Sequence, residues 1–148
     1  MMRGMQNDFS RPLAVMAIVN RTPDSFYDKG KTFALDAAVA AGAAAFEAGA
    51  TIVDVGGVKF APGPAVAIED EIALVVPVVR ELALLGDVSV DTFHPAVARA
   101  AIEAGAAIIN DTTGLRDPQM ADVVADSEAR IVIAHSLATP RTQHPLPH

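Results

Sequence analysis

The sequence has no cysteine, no tryptophan and a single tyrosine. Without cysteine there is no disulfide framework and no thiolate metal site, so packing must supply the stability. Positive charge is also scarce: 11 Lys and Arg face 18 Asp and Glu, giving a net charge of −7. An acidic chain repels phosphate backbones, which excludes general nucleic-acid binding. A small phosphorylated ligand can still be held by a few local groups. Long apolar runs are missing too. The run at 13–19 is too short to cross a bilayer, and the alanine-rich run at 34–50 is interrupted by Asp36 and Glu47. Residues 1–12 lack the apolar core of a secretory signal. A cytoplasmic protein with no membrane partner is expected.

What is present is apolar and small. The chain has 148 residues, 51% of them hydrophobic, with Ala, Val and Ile dominant and aromatics at 5%. That length suits one domain with a real core, and the mix suits helices packed on buried β-branched strands.

An internal echo organises the chain. Residues 47–55 read EAGATIVDV and residues 103–111 read EAGAAIIND. Each copy has the end of a helix-like alanine-rich stretch, a glycine, a short apolar run and a polar residue. Gly49 and Gly105 stand where a helix C′ position needs positive φ. The apolar runs after them are continuous, as in buried parallel strands. Strands are expected at about 13–19, 51–56, 87–91, 106–110 and 130–134. Helices are expected at about 34–48, 66–85, 95–104 and 117–127. Pro95 and the pair Asp117-Pro118 mark two of the helix starts.

Strict β-α alternation implies a parallel sheet with crossover helices. The first strand runs into NRTPDSF and not into a Gly-x-Gly-x-x-Gly turn, which removes the main mark of a dinucleotide fold. Polar residues at every strand end favour a barrel. The expected fold class is therefore α/β, a TIM-type (β/α)8 barrel truncated to about five strands and four helices. Residues 1–12 would be an extension, and 13–148 the N-terminal part of a single barrel domain. Five strands leave two edges uncovered, so the isolated monomer is expected to be poorly stable and self-association is favoured.

A barrel carries its chemistry just after the strands' C-terminal ends. There the sequence places Asn20, then Asp54 with Gly56 and Gly57, then Asp91-Thr92, then Asn110-Asp111, then His135-Ser136. Each has an ordinary structural alternative: a turn for Asn20, a helix cap for Asp91-Thr92, a turn pair for Asn110-Asp111, backbone capping for Asp54 and simple packing for His135. His144 and His148 fall in a polar tail and are assigned no role.

At these residues the chain resembles the dihydropteroate synthase family. VMAIVNRTPDSFYDKG is similar to the family's first signature, IVDVGG to the D-x-G-G core of its second, and VSVDTFHPAVARAAIEAGAAIINDTTG to the stretch that follows. The match runs in order from about Val15 to His135. It implies a pterin-binding barrel of folate biosynthesis. That family joins dihydropterin pyrophosphate to p-aminobenzoate, with release of pyrophosphate. Carried over, Asn20 helps hold Mg²⁺ and the pyrophosphate, a task suited to its hard side-chain oxygen. Asp91 faces the pterin ring, both as a charge-assisted acceptor and as an electrostatic catalyst. Asn110 completes ring recognition, Asp54 adds to the pterin site, and Gly56 and Gly57 allow close backbone approach.

The second loop departs from that pattern. Where the family continues with E-S-T-R-P-G, this chain has Val58, Lys59, Phe60 and Ala61 before Pro62 and Gly63. Phe60 and Ala61 cannot donate the hydrogen bonds of the Thr and Arg, and Lys59 has no planar fork. These features are similar to a divergent second-copy subgroup regarded as weak or inactive in the synthase reaction. The family's later Asp, Lys and Arg-x-His fall beyond residue 148. Three readings follow: a synthase, a catalytically impaired pterin-binding paralogue, and a methyltetrahydrofolate methyltransferase-type barrel. The TPDSF loop favours the synthase group, and the loss of Ser-Thr-Arg favours impaired chemistry.

Overall fold

The computed structural model describes residues 14–20, 28–58 and 65–135, with the backbone alone at 28–33. The expected extension at 1–12, loop residues 21–26 and 59–63, Ser136, and the tail holding His144 and His148 lie outside the described residues.

Among the described residues nine elements alternate: β1 (Met16–Asn20), α1 (Asp28–Glu47), β2 (Ile52–Gly56), α2 (Ile68–Leu82), β3 (Asp87–Asp91), α3 (Pro95–Glu103), β4 (Ile108–Asp111), α4 (Gln119–Ala125) and β5 (Arg130–Ile133). The strands fall within a few residues of their expected positions. Helix α1 begins earlier than the alanine run suggested. Gly30 and Thr32 lower its propensity there, but propensity is only a weak prior against tertiary context.

The repeated EAGA segments end their helices in the same way. Gly49 has φ 102° and Gly105 has φ 114°. Ala50 N–H donates to the Ala45 carbonyl at 2.9 Å, and Ala106 N–H to the Ala101 carbonyl at 2.9 Å. This six-to-one bond is the Schellman closure, which consumes a helix-end carbonyl and turns the chain into the next strand. Pro95 opens α3 as expected, and Asp117 Oδ1 accepts from the Gln119 N–H at 3.0 Å at the start of α4.

The sheet is wholly parallel, in the order β1-β2-β3-β4-β5. Each strand adds beside its predecessor with no reversal, so the sheet lacks the switch point of a doubly wound fold. Consecutive helices pack on one another. Val19, Val53, Val55, Val88, Val90 and Ile109 face them and form the core with Val75, Val78, Val79, Leu82, Ala98 and Met120. Each large apolar side chain buried there contributes about 1.5–3 kcal/mol of transfer free energy. Five strands with helices on one face are the N-terminal part of a TIM-type barrel, as expected. The other face is the barrel's interior side, where Ile18 is 69% exposed.

Candidate functional site

Strand register builds the site. In the parallel ladder Asn20 pairs with Gly56, Gly56 with Asp91, and Asp91 with Asn110. These residues form one row across four strands at their C-terminal ends. One step down lies a second row: Ile18 opposite Asp54, Asp54 opposite Ser89, and Ser89 opposite Ile108. Because strand side chains alternate, the two rows share the interior face, while the valines between them face the helices. The sequence-predicted residues Asn20, Asp91, Asn110 and Asp54 are thus brought together. His135 is exposed, two residues past the end of β5.

Gly56 makes the row compact. A Cβ there would lie 3.6 Å from Asn20 Oδ1 and 3.9 Å from Asp91 Oδ2. The missing side chain leaves the amide and the carboxylate facing each other across β2. At Gly57 a Cβ would come within 3.0 Å of Val75 Cγ2 and 3.1 Å of Glu71 Cγ. That glycine lets the loop after β2 sit directly on α2.

The electrostatics are those of crowded carboxylates in poor solvent. Burial pushes the Asp91 carboxyl up to about 7, and the neighbouring Asp54, Glu71 and Asp111 charges add to the rise. Asp54, only 4% exposed, is also raised by burial, while the Ser89 and Asn110 side chains beside it favour its charged form. Neither Asp54 Oδ1 nor Ser89 Oγ reaches full hydrogen-bond geometry with any partner.

Three residues gain roles that the sequence did not assign. Asp111 is a loop anchor: its Oδ1 accepts from the Thr113 N–H at 2.8 Å and hydroxyl at 2.7 Å, and its Oδ2 accepts from the Leu115 N–H at 3.1 Å. The turn reading of Asn110-Asp111 therefore holds for Asp111 alone, and Leu115 is held at φ 61°. Ser89 sits two residues before Asp91, so period-two alternation could have found it. Glu71 is fully buried, with both carboxylate oxygens unpartnered and His94 Nε2 at 4.0 Å. Burial raises Glu71, while the Thr92 hydroxyl works the other way; burial lowers His94 against the pull of Asp117. Glu71 hid in an acidic run, yet it shares one helix stripe with Val75, Val78, Val79 and Leu82. The helix-cap alternative for Asp91 fails. The residue before α3 is His94, with no side-chain cap bond, and Thr92 Oγ1 accepts from its N–H at 3.2 Å.

Among the described residues no three His, Asp or Glu side chains gather as a metal cage. The Asn20 oxygen fits a cation that takes few protein ligands and keeps its waters, as Mg²⁺ does.

Comparison with known proteins agrees with this geometry. The pterin binding enzyme family model matches residues 16–147. A protein of Mycobacterium leprae named inactive dihydropteroate synthase 2 is 49% identical over 144 residues, covering 90% of this chain and 49% of its own length. Dihydropteroate synthase of Staphylococcus haemolyticus is 45% identical, covering 82% of this chain and 47% of that protein. The solved Anaplasma phagocytophilum dihydropteroate synthase with bound 6-hydroxymethylpterin-monophosphate superposes with a TM-score of 0.79 at 34% identity, over 84% of this chain and 49% of that one. The chain spans about half the length of the curated relatives it matches. Fold, strand-end row and sequence similarity together place this chain in the pterin-binding enzyme family.

Proposed function

We propose that the row Asn20, Gly56, Asp91 and Asn110, with Asp54 beneath it, is the pterin pocket of a dihydropteroate synthase-type protein. We further propose that the 148-residue chain alone binds pterin without completing the synthase reaction. The in-register juxtaposition of Asp91 and Asn110 carries the first part. A carboxylate beside an amide can receive ring N–H groups and answer the ring's acceptors. Residues 13–148 act as one domain behind the short extension 1–12, in cytoplasmic folate biosynthesis. Among the described residues β1 and β5 stand at the sheet's two edges, and self-association through them belongs to this proposal.

In the reaction of this family type, the amine nitrogen of p-aminobenzoate bonds to the pterin's methylene carbon. The bond from that carbon to oxygen breaks, pyrophosphate leaves, and the amine loses a proton. Asp91 holds the ring and stabilises positive charge that builds as pyrophosphate departs. Asn20 would hold Mg²⁺ through its amide oxygen, and such an ion would supply charge neutralisation to the departing pyrophosphate.

The second part rests on Lys59, Phe60 and Ala61, which replace the Ser, Thr and Arg of the family loop. Single donors to a developing anion are worth about 3–4 kcal/mol each, so their loss reduces turnover by orders of magnitude. That the M. leprae relative of 49% identity is named inactive agrees with this. The test is calorimetric titration of the chain with 6-hydroxymethylpterin, alongside an assay for pyrophosphate release from dihydropterin pyrophosphate and p-aminobenzoate. Heat of binding without pyrophosphate release is expected. Release at a catalytic rate would overturn the impaired reading, and no heat at millimolar pterin would overturn the pocket.

A further inference from the structure

We propose that Glu71 and His94 form a proton-operated latch that holds the turn after β3, and Asp91 with it, against α2 and the loop after β2. Glu71 stands where these segments meet. It is fully buried on α2, and its Oε2 lies 4.0 Å from His94 Nε2. A Cβ at Gly57 would lie 3.1 Å from Glu71 Cγ, so the chain leaving Gly56 rests on the Glu71 stem. The turn leaving Asp91 is tied as a unit. Thr92 N–H donates to the Asn110 carbonyl at 3.3 Å, His94 N–H donates to Thr92 Oγ1 at 3.2 Å, and the Phe93 and His94 ring centres lie 4.2 Å apart. A shift of the His94 ring is therefore passed back to Asp91 and Asn110, two members of the strand-end row.

Neither carboxylate oxygen of Glu71 has a hydrogen-bond partner. The approach to His94 is about 1 Å longer than a hydrogen bond, a gap that side-chain rotation closes. An ionised carboxylate only accepts hydrogen bonds, and a neutral imidazole carries one N–H for two ring nitrogens. One added proton makes the pair neutral overall and supplies the missing donor. Burial favours the uncharged form of each group, raising the Glu71 carboxyl and lowering the His94 ring. The closed latch is thus a carboxylic acid whose O–H donates to Nε2. Other charges act on this balance. Asp91 on β3 is coupled to Glu71, Asp54 on β2 and Asp111 on β4 act on Asp91 in turn, and Asp117 before α4 pulls on His94. The Thr92 hydroxyl offsets part of the Glu71 rise. Glu69 and Asp70 on α2 and Arg99 on α3 are exposed. The raised carboxyl releases its proton only above its ordinary 4.5, so the latch is lost as pH rises and Glu71 becomes a buried anion beside Asp91. The His94 side chain is 28% exposed and that of Glu71 is 1%, so the proton passes by way of the imidazole.

The test follows hydrogen exchange of the whole 148-residue chain without ligand, between about pH 5 and about pH 9, for the parent, Glu71→Gln and His94→Leu. The readout is the protection factor of the His94 backbone N–H, from which the intrinsic pH dependence of exchange is divided out. In the parent, protection should fall about fivefold across the window, as expected for losing one hydrogen bond. Glu71→Gln keeps an uncharged donor at every pH and should hold the acid-side value throughout. His94→Leu has no latch and should show the low value throughout. Flat protection in the parent, or the parent's fall repeated in either variant, would overturn the proposal. If Glu71→Gln does not fold, His94→Leu still makes that comparison. Affinity for 6-hydroxymethylpterin is then measured at both ends of the window, and only this step rests on the pterin-pocket reading. Glu71→Gln should match the parent at about pH 5 and bind about fivefold tighter than the parent at about pH 9. A constant ratio would overturn the latch's hold on Asp91. If the parent binds no pterin at either pH, the pocket reading has failed, and the exchange measurement still decides whether Glu71 and His94 latch the turn.

Discussion

The two faces of this sheet carry opposite chemistries in alternate residues. Towards the helices stand Val19, Val53, Val55, Val88, Val90 and Ile109, all buried and apolar. Towards the barrel interior stand Ile18, Asp54, Ser89, Asp91 and Asn110. The first set stabilises the fold by removing surface from water. The second gathers carboxylates whose burial works against their charge. A side chain's task here is set by its parity along the strand. Stability and ligand binding can therefore be separated by substituting neighbouring residues.

The largest effect should come from the helix side. Leu82 is fully buried in the core. Leu82→Ala is expected to lose about 3 kcal/mol in urea denaturation, from lost burial and the cavity left behind. If the loss were near zero, the helix layer would not be a close-packed core.

The interior side should respond in the opposite direction. The Asp91 carboxyl stands near 7 in the fold against an ordinary 3.8. The folded state thus binds the proton more tightly, and wild-type stability falls as pH rises between those values. Asp91→Asn removes a charge the fold disfavours. It should match wild type near pH 3.5, and become progressively more stable than wild type from about pH 4 up to about pH 7. Pterin binding should be lost at the same time. A variant equally destabilised at both pH values would show that Asp91 is a structural residue after all.

The smallest effect belongs to the opposite end of the strands. Arg130 Nη2 donates to Asp87 Oδ2 at 3.2 Å, joining the first residues of β5 and β3 through an exposed pair. Arg130→Ala should cost under about 1 kcal/mol, and less at 0.5 M salt. A larger loss in thermal melts would mean that this end of the barrel is held by charge, not by packing.

Much of this was legible in the chain before folding. The EAGA echo foretold two helix ends with positive-φ glycines, and the strand-end polar residues foretold the row. Asn20, Asp91 and Asn110 could be picked out because each is a polar residue at the C-terminal end of a short strand-like segment. Glu71 could not be picked out so simply, since Glu69-Asp70-Glu71 looks like a solvated helix start. Only the stripe shared with Val75 and Leu82 betrays it. Asp111 was inseparable from Asn110 by sequence, because adjacent polar residues at a strand end look alike until parity sends one to each face.

The sequence by itself determined the order of elements, the glycine stops and the identity of the strand-end groups, because these depend on local periodicity and backbone sterics. Tertiary structure alone decided the rest. Register across four strands set Asn20, Gly56, Asp91 and Asn110 side by side, and stacked Asp54 and Ser89 beneath them. Burial then moved the carboxyls far from their ordinary behaviour. Those are properties of long-range pairing and desolvation, which no local stretch of chain contains.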